Sequence, residues 1–126
     1  TDFPMFRMAD VYLMYAEAVL RGGTGGDIST AVGYVNQIRT RAGATAITAT
    51  DLTLDFILAE RGRELFWECH RRTDLVRFDK FTGSSKIWQW KGGVKNGTST
   101  EPYRNLMPIP SRAIQANPTL KQNPGY

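Results

Sequence analysis

The sequence predicts a mostly α fold of tetratricopeptide-like helical hairpins with a long irregular C-terminal tail. Three observations carry this expectation. Apolar residues recur at helical spacing through three long segments before residue 81. A run of glycines, "GGTGGD", separates the first two of them. Five of the six prolines fall after residue 100, in a stretch also rich in Gly, Asn and Ser.

Helix one is expected over about Met5–Arg21. Pro4 stands just ahead of it, where a missing N–H is harmless, and Gly22 and Gly23 end it. Its polar residues Arg7, Asp10, Glu17 and Arg21 share one narrow stripe, and the rest is apolar. Such a helix is expected to lie buried among neighbours. Ala9, Ala16 and Ala18 leave room for another helix to approach closely. "GGTGGD" has neither the lysine nor the preceding strand of a phosphate loop, so it reads as a helix-to-helix turn.

Helix two is expected over about Ile28–Ala42, with Asp27 as N-cap and Gly43 as the stop. Ile28, Ala31, Val32, Val35, Ile38 and Ala42 fall on one face. Helix three is expected over roughly Leu54–Arg71, capped by Thr53. Its stripe is Leu54, Ile57, Leu58, Leu65 and Cys69, with Phe66 and Trp67 beside it. Gly62 inside it costs about 1 kcal/mol relative to Ala. "TDLVRFDKF" reads as a short further helix capped by Thr73. From Thr82 the chain is expected to be irregular, with one helical turn at Arg112–Gln115. The first two helices carry the small-residue pattern of a tetratricopeptide unit without its full consensus, which leaves a generic helical bundle as the alternative.

At 126 residues the chain is expected to form a single domain with its own core, a helical body over residues 1–81 and a wrapping tail over 82–126. The net charge is +4, and acids are interleaved with bases along the helical body. A nucleic-acid binder concentrates its bases on one face, so no nucleic-acid partner is expected. Cys69 is the only cysteine and His70 the only histidine, too few for a Cys/His zinc site within one chain. No cofactor is expected. No apolar stretch is long enough to span a bilayer, and the longest, near Val11–Leu20, is broken by Glu17. No signal peptide precedes helix one. The chain enters that helix almost at once, as a piece of a longer protein would.

Two features are candidates for chemistry. Glu60, Glu64 and Glu68 recur every fourth residue, and carboxyl pairs about 5 to 9.5 Å apart hydrolyse glycosides. Arg61, Arg63, Arg71, Arg72 and Arg77 surround them. Neighbouring cations favour the ionised carboxylate, the wrong direction for a general acid, and helical ion pairing is the commoner outcome. Glu60, Arg61, Glu64, Glu68, Arg71, Asp74 and Glu17 are therefore expected to form a structural ion network, with Arg61 and Arg71 meeting Glu17 and Asp74. The second feature is "WQWKGG". In an extended segment Trp88 and Trp90 share a face. Two indoles there can stack on sugar rings while Gln89 or Lys91 bonds hydroxyls. The competing reading is that they close the helical core.

The fragments "RMADVYLMYAEAV", "VNQIRTRAG", "ERGREL", "DLVRFDKF", "WQWKGG", "LMPIP" and "NPTLKQNPGY", in this order, resemble the C-terminal half of the SusD/RagB family. The resemblance covers essentially the whole chain. It implies an α-superhelix of tetratricopeptide-like helix pairs with an irregular ligand-binding part. It also implies a surface-exposed outer-membrane lipoprotein of Bacteroidetes-type bacteria that captures glycans or other nutrients and delivers them to a TonB-dependent, SusC-like porin, without being an enzyme. The lipid-bearing cysteine lies at the family's N-terminus, so Cys69 is not the anchor. The chain departs from the family pattern at Gly62, where an arginine is common, at Cys69, where a small Gly is usual, and at Arg72, where a Trp is common. Two further readings stay open: a glycoside hydrolase using Glu60, Glu64 or Glu68, and a helical-repeat scaffold that contacts the porin and binds no sugar.

Overall fold

The computed structural model describes residues 5–126. The lead-in at Pro4 lies outside the described residues. Five α-helices follow one another, α1 (Met8–Leu20), α2 (Ile28–Arg41), α3 (Leu54–Glu64), α4 (Arg71–Arg77) and α5 (Ser111–Ala116), with 3-10 turns at Lys91–Gly93 and Pro102–Asn105. The fold is helical, as the periodicity predicts. Among the described residues the only β pairing is an isolated antiparallel bridge between Gly83 and Thr100. The chain divides into two compact units, one ending at Asp74 and the other spanning Leu75–Tyr126.

In the first unit, α1 and α2 form a helical hairpin, and α3 also packs on α1. Ala9, Leu13 and Ala16 of α1, Ala31, Val35 and Ile38 of α2, and Ile57 and Leu58 of α3 are buried. The three alanines let the backbones approach, while Leu13, Val35, Ile57 and Leu58 fill the core. Tyr12 stacks on Tyr34 at 4.3 Å, and Tyr15 meets the same ring edge-on at 5.1 Å. The loop between α2 and α3 is pinned by Asn36. Its side-chain amide accepts from the Ile47 N–H at 2.8 Å and donates to the Ile47 carbonyl at 2.9 Å.

The expected caps of α2 and α3 are present: Asp27 accepts from the Thr30 N–H, and Thr53 from the Phe56 N–H. The Thr30 N–H and hydroxyl hold the Asp27 carboxyl below the usual carboxylate range. A depressed folded-state pKa contributes stability above the unfolded value and loses it as pH falls through the folded value. The start of α2 should therefore loosen in strong acid, after ordinary exposed carboxyls have titrated. The Thr30 amide proton, followed by NMR from neutral to strongly acidic pH, should move with Asp27. An amide shift that ignores acidification contradicts this cap.

Several expectations need correction. Helix one begins at Met8 rather than Met5, because Arg7 is extended (φ −129°, ψ 143°). That conformation lets its guanidinium reach Glu68, at 2.8 Å to each carboxylate oxygen, and the Glu64 carbonyl at 2.9 Å. Helix one is not buried all round either. Met8, Val11 and Met14 are 63%, 46% and 46% exposed, and Ala18 is exposed too.

Helix three stops at Glu64 with Leu65 as its C-cap, seven residues before the expected end. Beyond that end Trp67 and Cys69 take left-handed conformations (φ 65° and 63°), which keep the helix from resuming. Glu68 is therefore off the helical ladder, and Cys69 is exposed instead of packed in the core. The left-handed backbone at 69 is what glycine adopts without steric cost, which matches the Gly that the family resemblance places there. Thr73 does not cap α4. That helix already starts at Arg71, and the His70 carbonyl accepts from the Asp74 N–H at 3.0 Å.

In the second unit the last residues fold back on the "LMPIP" segment. The Gln122 amide accepts from the Ile109 N–H at 2.8 Å and donates to its carbonyl at 2.9 Å. Asn123 donates to the Met107 carbonyl, and the Tyr126 hydroxyl to that of Leu106. Side chains here supply the pairing that a β ladder would supply elsewhere, so proline-rich chain is ordered without strands.

Candidate functional site

Three ion-pair clusters organise the charges of the first unit, around Arg61, around Glu60 and around Arg7 with Glu64 and Glu68. Arg61 joins three helices: its Nε donates to Asp74 at 2.9 Å and its Nη1 to Asp10 at 2.7 Å. The side chains of Arg61 and Asp74 are both 3% exposed. Glu60 accepts from Arg39 at 3.0 Å and from Arg63 one turn away. Glu64 accepts from Arg41 at 2.5 Å and pairs with Arg7 at 3.0 Å. Glu68 receives the other edge of Arg7.

Arg71 donates to the Leu58 carbonyl at 2.8 Å, passing over Gly62. A Cβ at 62 would sit 2.8 Å from its guanidinium nitrogen, so glycine is what lets that arginine lie across the helix. Glu17 is buried but meets Arg21, one turn on, at 2.8 Å, and not Arg61 or Arg71 as expected. The sequence reading missed Arg7, Asp10, Arg39 and Arg41. Their partners lie 21 to 61 residues away, beyond the reach of turn-by-turn spacing.

Each of Glu60, Glu64 and Glu68 is thus engaged by guanidinium groups from two or more parts of the chain or by a two-pronged clamp. That arrangement ties α3 and the turn after it to α2 and to the residue that precedes α1. Among the described residues no group of three or more His, Cys, Asp or Glu side chains is suited to a metal ion.

The tryptophan tract lies wholly in the second unit, at a cavity of about 320 Å³ lined by Phe81, Trp88, Trp90, Lys91, Gly92, Thr100 and Arg104. Trp88 is 39% and Trp90 65% exposed. The expected extended geometry does not occur. Trp90 is left-handed (φ 66°, ψ 4°), and the Lys91 N–H returns to the Trp88 carbonyl at 3.1 Å. A turn, not a strand, brings both indoles to one cavity.

Gln89 is exposed, whereas Lys91 is 3% exposed and is not available to a ligand as expected. Its Nζ donates to the Lys86 carbonyl at 2.5 Å and the Gly83 carbonyl at 3.2 Å, and lies 4.7 Å from the centre of the Trp88 ring. Burial pushes this ammonium below the usual lysine range. The lysine therefore braces the turn beneath the indoles. Thr100 and Arg104 supply the polar rim, and the spacing of the tract does not disclose them because both lie well beyond its end at Gly93. The interleaving of acids and bases also ends at this unit. Residues 75–126 carry eight Lys and Arg against only Asp79 and Glu101, and neither acid lines the cavity.

The model of the SusD family matches residues 1–126. The chain is 45% identical over its full length to the starch-binding protein SusD of Bacteroides thetaiotaomicron, and spans 22% of that protein. A SusD superfamily protein of the same organism superposes on 97% of the chain with a TM-score of 0.72 and 34% identity, and the match spans 28% of that structure. The surface glycan-binding protein A of Bacteroides uniformis superposes on 96% of the chain with a TM-score of 0.73 and 29% identity, spanning 27% of that structure. The chain thus corresponds to about a quarter of the length of these relatives.

Proposed function

The chain belongs to the SusD family, and from that premise we propose that it is part of a cell-surface nutrient-binding protein that holds oligosaccharide or polysaccharide and passes it to a TonB-dependent outer-membrane porin. The observation that carries the glycan reading is the pair of partly exposed indoles at one cavity with Thr100 and Arg104 around them. Indole faces bind the apolar faces of sugar rings, and a rim of hydroxyl and guanidinium groups bonds the ring hydroxyls. The names of two relatives, one starch-binding and one surface glycan-binding, favour the same reading. The eight bases of this unit favour glycans that carry carboxylate or sulfate groups, an attraction that salt screens.

Binding without hydrolysis is favoured by the arginine-held state of Glu60, Glu64 and Glu68. A lipid anchor outside these 126 residues would hold such a protein at the outer membrane. No helix among the described residues is long and apolar enough to cross a membrane. In this reading α1 and α2 are one tetratricopeptide-like pair of a superhelix.

Titration calorimetry of the family-length protein against a glycan library tests the proposal. Trp88→Ala/Trp90→Ala should weaken binding at least about tenfold, or about 1.4 kcal/mol, with the melting temperature preserved. No reducing ends should accumulate. Affinity unchanged by the double substitution removes this cavity as the binding site. It would favour the scaffold reading, to which the inward Lys91 lends support. Steady release of products from a bound glycan, abolished by Glu64→Gln, would restore the hydrolase.

A further inference from the structure

Arg61 and Lys91 are buried to the same degree, each 3% exposed, but their charges are met differently. Arg61 has two carboxylate partners. The Lys91 ammonium has the Lys86 and Gly83 carbonyls and the face of Trp88, and among the described residues no carboxylate pairs with it. Carbonyl dipoles and an indole face solvate a cation without cancelling its charge. Little water stands around a buried cation to screen it, so its field reaches further than that of a solvated one. Lys91 lines the indole cavity, and the field falls there.

The rim of the same cavity carries a second cation, Arg104. Its guanidinium lies 5.3 Å from the centre of the Tyr103 ring. That ring is itself held in place. Tyr126 meets it edge-on at 4.9 Å, and Gly125 (φ 94°) comes so close that a Cβ there would lie 2.4 Å from a ring atom. A guanidinium stacked on a fixed ring is already ordered, so it loses less freedom when it closes on a ligand. Its planar fork matches the paired oxygens of a carboxylate or sulfate better than it matches a single hydroxyl.

We propose that the indole cavity selects sugars that carry an oxyanion, with Arg104 as the specificity-determining contact and Lys91 as a buried charge that favours the anion from beneath. The inference rests on the glycan reading and deepens it, from a general attraction by the bases of the unit to two named side chains.

The test is titration calorimetry of the family-length protein with matched glycan pairs that share one backbone. Oligogalacturonate is set against its methyl ester, and a sulfated galactan oligosaccharide against its desulfated form. The readout is the ratio of affinities within a pair, because collapse of the turn would weaken both members together. The acidic member of at least one pair should bind about tenfold tighter or more, the range of one hydrogen bond to a charged group. Arg104→Gln should remove most of that preference, and Arg104→Lys should keep part of it. Lys91→Met should lower the ratio by about threefold or more. Arg112→Gln/Lys121→Gln removes two charges of the same unit that do not line the cavity, and should change the ratio by less than about twofold.

A preference confined to the galacturonate pair or to the sulfated pair supports the proposal and assigns the oxyanion. Neutral glycans bound through the indoles, with no preference for the acidic member of either pair, overturn the proposal and leave the glycan reading standing. A preference that survives Arg104→Gln overturns it, as does one that Arg112→Gln/Lys121→Gln lowers equally, since either result means diffuse attraction. Binding that Trp88→Ala/Trp90→Ala retains in full, or no binding of any glycan, overturns both this proposal and the glycan reading of the cavity.

Discussion

Arg61→Ala should destabilise the first unit by about 3–5 kcal/mol, the range for removing one partner of a buried ion pair. The reason is the state of what remains. Asp74 has a side chain 3% exposed, and Asp10 is largely covered at 15%. Without the guanidinium, Asp74 loses a charged partner where water does not reach it, and Asp10 loses one as well. Because Asp10 lies on α1, Arg61 on α3 and Asp74 on α4, the loss separates three helices at one point. The expected fall in melting temperature is roughly 10 °C or more for a chain of this size. Arg61→Met/Asp74→Leu should recover most of the loss, since it removes the buried charge pair together and not one half of it. A single substitution that costs under about 1 kcal/mol would mean that the cluster is wetter and looser than its geometry describes. Arg71, also expected in this role, is exposed and makes one bond to a carbonyl, so Arg71→Ala should cost distinctly less.

Gly97→Ala should disrupt the tryptophan turn. Gly97 has φ 74°, and a Cβ there would lie 2.2 Å from the Trp88 carbonyl oxygen and 2.5 Å from an Ile87 methyl. The first obstacle is backbone, so it cannot swing aside. The conformational and steric costs together come to roughly 2–4 kcal/mol. They fall on the segment that carries Trp88, so both indoles should be displaced and the cavity lost. Gly93→Ala is the matched control: φ is 78°, but no atom stands within 4 Å of the added methyl. It carries only the conformational cost, on the order of 1 kcal/mol. Tryptophan emission, denaturant melts and glycan titration should all separate the two variants. Equal behaviour would show that the close approach of Gly97 to Trp88 does not hold the turn.

Local features were legible from the residues alone. Asp27 and Thr53 announce their helices because a cap and the N–H groups it satisfies lie within three residues of each other. Val35, Ile38, Ile57 and Leu58 announce the buried faces because helical periodicity repeats over short distances. The pairing of Glu60 with Arg63 is of the same kind. Helix three ends sooner than its periodicity predicts for the complementary reason. Nothing between Leu65 and His70 forbids a helix, and only the distant claims of Arg7 on Glu68 and of Arg61 on Asp74 make a turn there the better solution. Lys91 shows the same limit at the candidate site. A lysine beside two tryptophans reads as a ligand group until the carbonyls of Gly83 and Lys86 are found to need it.

What the sequence determined by itself was therefore the helical class, the first two helices, the caps of α2 and α3, the tract that holds the indoles and the family resemblance. All of these depend on neighbours within a few residues or on the order of short motifs. The tertiary structure decided where helix three ends, which arginine meets which carboxylate, and which way Lys91 and Trp67 face. Those choices are settled by burial and by charge pairing between residues far apart in the chain, and such free energies exist only once the chain has folded.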